Sequence, residues 1–129
     1  MREIKFRGWS TVFHKMEYGI SVNEEEWLTK SGHYSGSHET LMQYIGLNDR
    51  NGTEIYEGDI LYGMQEAPEH NRENPRAGYG VVLWGEREGE WQMQWWGNRG
   101  MTAKPELTHM LGRYPEVVGN IYENPELVT

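Results

Sequence analysis

Apolar and polar residues alternate along much of this chain with a period of two, the spacing of strands that bury one face. Ile4, Phe6 and Gly8 interleave with Lys5, Arg7 and Trp9, and residues 11–13 continue in strand-favouring types, which predicts an N-terminal hairpin. Residues 41–45, 60–64, 79–84, 91–96 and 117–122 each have the length and the β-branched or aromatic content of a strand. Gly-Glu-Arg-Glu-Gly-Glu, residues 85–90, predicts the hairpin turn between the third and fourth of these. Asn23 followed by three glutamates ahead of Trp27 and Leu28 predicts one short helix, capped by Asn23 and ended at Ser31 and Gly32. Residues 31–39 and 65–78 are polar, glycine-rich or proline-rich and are expected to be loops. With no alternation of strand and helix, a parallel α/β sheet is unsupported. The expected fold is mainly β, with bent antiparallel sheets closing into a small barrel and at most one short helix.

The densest local signal is LMQYIGLNDRNGTEIYEGDIL, residues 41–61. Asn48, Asp49, Asn51 and Gly52 tolerate the positive φ of tight turns, so the chain is expected to reverse over 47–53 before Ile55 and Tyr56 resume the strand pattern. Gly58 interrupts it again between Glu57 and Asp59, and Asp59 is placed to accept backbone N–H bonds as the next strand begins. Asn51, Gly52, Glu57, Gly58 and Asp59 are therefore expected to build a corner of a β-sheet.

Composition narrows the class. At 129 residues the chain is the size of one domain, and 16 glycines, well above the usual share of about 7 %, fit short strands with frequent turns. The absence of cysteine excludes disulfides and thiolate metal sites and agrees with a reducing cytoplasm. No apolar run approaches the roughly 20 residues of a membrane helix, and the N-terminus has no signal-like apolar stretch, so a soluble cytoplasmic protein is expected. Residues 1–15 hold four bases and one acid, a net +3, which leaves −11 for the rest of a chain whose total is −8. Such an acidic chain is ill suited to nonspecific phosphate binding.

MREIKFRGW at the N-terminus, the central 41–61 stretch and VVGNIYENPELV near the C-terminus, in this order, resemble the YopX family of phage and prophage proteins. The resemblance implies one domain over 1–129, with an N-terminal β segment and loop over 1–40 and an SH3-like barrel in the part from 41 to 129. It implies a phage-borne gene and no established activity, and it carries over no catalytic residue.

The residues themselves point away from catalysis. His33, His38 and Glu39 could ligate zinc or nickel, but an H-x4-H spacing in a Gly/Ser loop lacks the rigid outer shell of a metal site. Glu57 and Asp59 have no partner base or nucleophile at a recognisable spacing, and no phosphate-binding or nucleophile-elbow pattern occurs, so neither enzyme activity nor a cofactor is expected.

In WQMQWW, Trp91, Met93 and Trp95 fall on one face, expected to be core. Gln92, Gln94 and Trp96 fall on the other, where Trp96 with Arg99 beyond it forms a candidate interaction surface. Ile4 and Phe6 form a second candidate, as an unpaired sheet edge through which copies of the chain would associate, the basic N-terminal segment of one meeting the acidic body of another. Two classes stay open. One is a protein-interaction module whose partner is a second copy or a host or phage protein. The other is a nucleic-acid-associated module using Arg2, Lys5, Arg7 and an aromatic face.

Overall fold

The structure, a computed structural model, describes residues 3–65, 76–87, 89–97, 100–101 and 116–128. It is mostly strand, and the described residues contain no α-helix. The chain forms two compact units, Met1–Gly46 and Leu47–Thr129.

In the first unit, β1 (Phe6–Ser10) lies between β2 (Lys15–Tyr18) and β6 (Leu41–Asn48), antiparallel to both. The hairpin expected at the N-terminus is present, but Thr11, Val12 and Phe13 belong to its turn and not to a strand. Ser10 closes that turn by accepting His14 N–H on its carbonyl (2.9 Å) and Phe13 N–H on its Oγ (3.0 Å). His14 takes the left-handed φ of 52° that the reversal requires. A second sheet joins β3 (Ser21–Val22), β4 (Glu26–Leu28) and β5 (Ser35–Ser37) in that order.

The short helix expected after Asn23 is absent. Asn23 Oδ1 does accept two backbone N–H bonds, from Glu25 (2.8 Å) and Glu26 (2.9 Å), but the capped bend opens at once into β4. The reason is Trp27. Its indole is fully buried against Gly8 of β1 and Gly36 of β5, positions where any Cβ would meet the ring. Its Nε1–H donates to Thr40 Oγ1 (3.1 Å), whose hydroxyl donates to the Ser37 carbonyl (3.1 Å). Burying an indole removes some 150–250 Å² from water, worth on the order of 4 kcal/mol, which outweighs the few tenths per residue that separate helix from strand preference. The same packing makes residues 35–37 a strand within the segment expected to be a loop, followed by a 3₁₀ turn over His38–Thr40.

In the second unit, Asp49–Gly52 turns the chain from the end of β6 into β7 (Glu54–Tyr56), and Gly52 supplies the positive φ, 83°. β8 (Asp59–Gln65), β9 (Arg76–Gly85), β10 (Glu90–Gly97) and β11 (Gly100–Met101) form an antiparallel meander, and β12 (Glu116–Asn120) returns to pair with β8. The resulting five-stranded sheet, in the order β11-β10-β9-β8-β12, is curled. Ile55, Ile60, Leu61, Val82 and Met93 are fully buried in this unit, with Met93 seated over Gly80. Residues 121 and 122, expected to extend the last strand, form a turn instead, and the register of β12 shifts between Val117 and Gly119. The loop expected over 65–78 falls largely outside the described residues.

Candidate functional site

The corner is built from two carboxylates. Asp59, fully buried, accepts Tyr56 N–H on Oδ2 (2.8 Å) across the Glu57-Gly58 turn, where Gly58 has φ 86°. Gly58 is itself held on both sides, its N–H donating to the Val82 carbonyl (2.8 Å) and its carbonyl accepting Ile121 N–H (3.0 Å).

Asp49 holds the other turn, with Oδ1 accepting Asn51 N–H (2.8 Å) and Thr53 N–H (2.9 Å) while Oδ2 accepts Val117 N–H (2.9 Å). Burial raises the pKa of this carboxyl, but the backbone bonds from Val117, Thr53 and Asn51 together outweigh burial and hold it below the ordinary 3.8. The Asn51 amide (3.3 Å) and the Arg50 guanidinium (3.5 Å) both approach Glu116 Oε2 beside it.

Asn120 repeats the device at the C-terminal end. Its Oδ1 accepts Tyr122 N–H (3.0 Å) and Glu123 N–H (2.9 Å), and Asn124 packs against Gly119. The local turn chemistry of Asp49 was legible in the sequence, whereas its bond to Val117, 68 positions away, had no sequence signal.

His38 Nε2 is 2.7 Å from the Asn23 carbonyl and so donates to it, and no group of three or more metal-ligating side chains occurs among the described residues. The basic N-terminal segment is not an open cationic patch. Lys5 pairs with Glu3 (3.2 Å) and lies over Tyr44, Lys15 pairs with Glu17 (3.1 Å), and Arg7 is buried beside Tyr18. Arg2 is outside the described residues. Ile4 is exposed ahead of β1 and Phe6 begins it, but β1 has a strand on each side. β1 pairs with β2 through Arg7–Ser10 and with β6 through Phe6–Gly8, and among the described residues the edges of the five-stranded sheet are β11 and β12.

Exposed aromatic residues gather elsewhere. At the tip of the β1–β2 hairpin, Val12 and Phe13 are 74 % and 49 % exposed, and Phe13 meets Tyr34 edge to face with ring centroids 4.4 Å apart. Lys15 Nζ lies 6.0 Å from the Tyr34 centroid. Sequence reasoning missed this group because its members were assigned to a strand and a loop. The only advance signal was two apolar residues where turn chemistry favours polar ones.

On the second unit, Trp84 and Trp91 stand opposite each other across β9 and β10, edge to face at 4.9 Å, while Met93 is fully buried. Gln92, on the face opposite Met93, is buried as well. Trp96 is placed by register opposite Tyr79 and Met101, its side chain lies outside the described residues, and so does Arg99.

These features define a small antiparallel β protein whose buried carboxylates and asparagines hold turns. The chain belongs to the YopX family, whose model, described as YopX protein, matches residues 5–129. Protein EF1440 from Enterococcus faecalis, known from a crystal structure, has a similar fold, with a TM-score of 0.64 over 100 % of both chains at 24 % sequence identity. No curated protein matches the chain. None of the helices among the described residues is long and apolar enough to cross a membrane.

Proposed function

We propose that this chain is a non-enzymatic protein-interaction module, an accessory protein of phage or prophage origin acting in the host cytoplasm. Its partner is a host or phage protein or a second copy of itself. The observation that carries this reading is the hairpin tip, where a hydrogen-bonded turn holds Val12 and Phe13 out into solvent beside Tyr34. Exposed apolar side chains on a rigid turn gain nothing for folding and lose little entropy on binding. The residue blocks that mark the family support the same view, since Asp49, Gly58, Asp59 and Asn120 are engaged in holding turns and strands. The meander of β8 to β11 with β12 returning to β8 supports an SH3-like barrel for the second unit. A nucleic-acid role is the weaker reading, because Arg7 is buried and Lys5 is paired.

The test is affinity capture from infected cells with wild-type protein and a Phe13→Ser, Tyr34→Ser double variant. Recovery of a partner is expected to fall about tenfold with the variant, as for truncation of aromatic contact residues. Equal recovery would overturn the assignment to this surface. Sedimentation velocity at micromolar concentration decides whether a second copy is among the partners.

A further inference from the structure

Asn51 alone among the chain's eight asparagines is followed by glycine, whereas Asn74 and Asn124 precede proline and Asn120 precedes Ile121. The neighbour matters because an asparagine side-chain amide lies within reach of the next backbone nitrogen. Glycine has no side chain to block that approach, and a proline nitrogen has no proton to give up. In the reaction the Gly52 nitrogen loses its proton and bonds to Asn51 Cγ, the Cγ–Nδ2 bond breaks, and ammonia leaves with the proton. Water then opens the cyclic imide at either carbonyl. The product is aspartate or, with the main chain rerouted through the former side chain, isoaspartate.

Asn51 is exposed, yet the fold restrains both reacting groups. Gly52 N–H donates to the Asp49 carbonyl (3.0 Å), and Asn51 Nδ2 donates to Glu116 Oε2 (3.3 Å). The nitrogen that must turn nucleophilic also lies between the N–H groups of Asn51 (2.8 Å) and Thr53 (2.9 Å), which both donate to Asp49 Oδ1. A carboxylate so close disfavours the anionic form of that nitrogen. Unfolding removes all of these restraints. The same contacts fix the consequence of conversion. A new carboxylate faces Glu116 with like charge, and isoaspartate adds a carbon to the main chain between two N–H groups that share one oxygen. The other oxygen of Asp49 holds Val117 N–H of β12 (2.9 Å), so distortion of the turn loosens that strand.

We propose that Asn51 is a site of spontaneous deamidation, that the native turn suppresses the reaction, and that conversion unfastens β12 from the turn. The chain thereby keeps an irreversible record of having been unfolded. This is independent of the interaction surface above.

The test incubates the full chain at mildly alkaline pH, folded or in concentrated guanidinium chloride, and follows the peptide spanning Asn51 by mass spectrometry and isoaspartate content. Conversion at Asn51 is expected to be at least about tenfold faster in denaturant, since only the opened turn reacts, and faster than at every other asparagine. Gly52→Ala is expected to slow it in denaturant, where no fold is at stake. The deamidated chain, separated by its added negative charge and refolded, is compared with wild type and with Asn51→Asp by amide exchange at Val117. Exchange is expected to be about tenfold faster in the refolded chain and about threefold faster in Asn51→Asp, which adds the charge without the extra main-chain carbon. Equal conversion in folded and unfolded chains, faster conversion at another asparagine or no effect of Gly52→Ala would overturn the assignment of the site. Unchanged Val117 exchange in the refolded chain or, should it not refold, in Asn51→Asp would overturn the link to β12.

Discussion

In Met1–Gly46 Trp27 is fully buried between strands that present glycine to it, with Met42, Tyr44 and Ile45 also buried, whereas in Leu47–Thr129 Ile55, Ile60, Leu61, Val82 and Met93 are all fully buried. The first arrangement rests on one large side chain as its keystone. The second spreads its stabilisation over several, and adds Asp49 and Asp59 as hydrogen-bond anchors for its turns. A keystone tolerates change almost everywhere except at itself and its glycine seats, while a distributed core yields a little at many places. The units also differ in charge, since almost all of the net acidity belongs to the second.

The comparison breaks most directly at Trp27. Trp27→Ala is expected to cost about 3–5 kcal/mol and to abolish hydrogen-exchange protection in β1, β4 and β5, with β8 to β10 affected less. A uniform loss across both units would show that the keystone description is wrong.

Removing the Asp49 carboxylate comes next. Asp49→Ala leaves the N–H groups of Asn51, Thr53 and Val117 without their acceptor and is expected to cost about 2–4 kcal/mol, read from urea midpoints. The pH dependence follows from the lowered pKa of this group. The folded carboxyl titrates below the ordinary 3.8, so its contribution is complete above that value and disappears as pH falls through the folded pKa. Asp49→Asn should therefore flatten the acid limb of stability below about pH 4, and an unchanged limb would assign acid unfolding to other groups.

Gly58→Val is expected to cost about 1–3 kcal/mol, because a β-branched residue is strained at φ 86°, and an unshifted midpoint would remove the argument for the corner. The smallest effects belong to the surface. Ile4→Lys and Phe13→Ser should change stability by no more than about 0.5 kcal/mol, and Ile4→Lys should leave sedimentation unaltered, since β1 already has two neighbours. A shift to monomer with Ile4→Lys would restore the N-terminal segment as an interface.

The strands over 41–45, 60–64, 79–84 and 91–96, the reversal at Asp49–Gly52 and the bend at Gly58 were all legible in the sequence. Each depends on local chemistry, namely alternation of side chains, the conformational freedom of glycine and the acceptor oxygens of Asp and Asn. What the sequence could not decide were the outcomes set by residues far apart in the chain. Asn23 caps a bend as its type predicts, yet a strand follows because Trp27 must lie against Gly8 and Gly36, from segments on either side of it. Thr11, Val12 and Phe13 have strand-favouring side chains, yet the turn closed by Ser10 places all three in solvent. The basic residues near the N-terminus counted as a patch along the chain, but folding buried Arg7 and paired Lys5 and Lys15. Local preference is worth tenths of a kcal/mol per residue, whereas burial of an indole is worth several. Where the two conflict, tertiary packing decides.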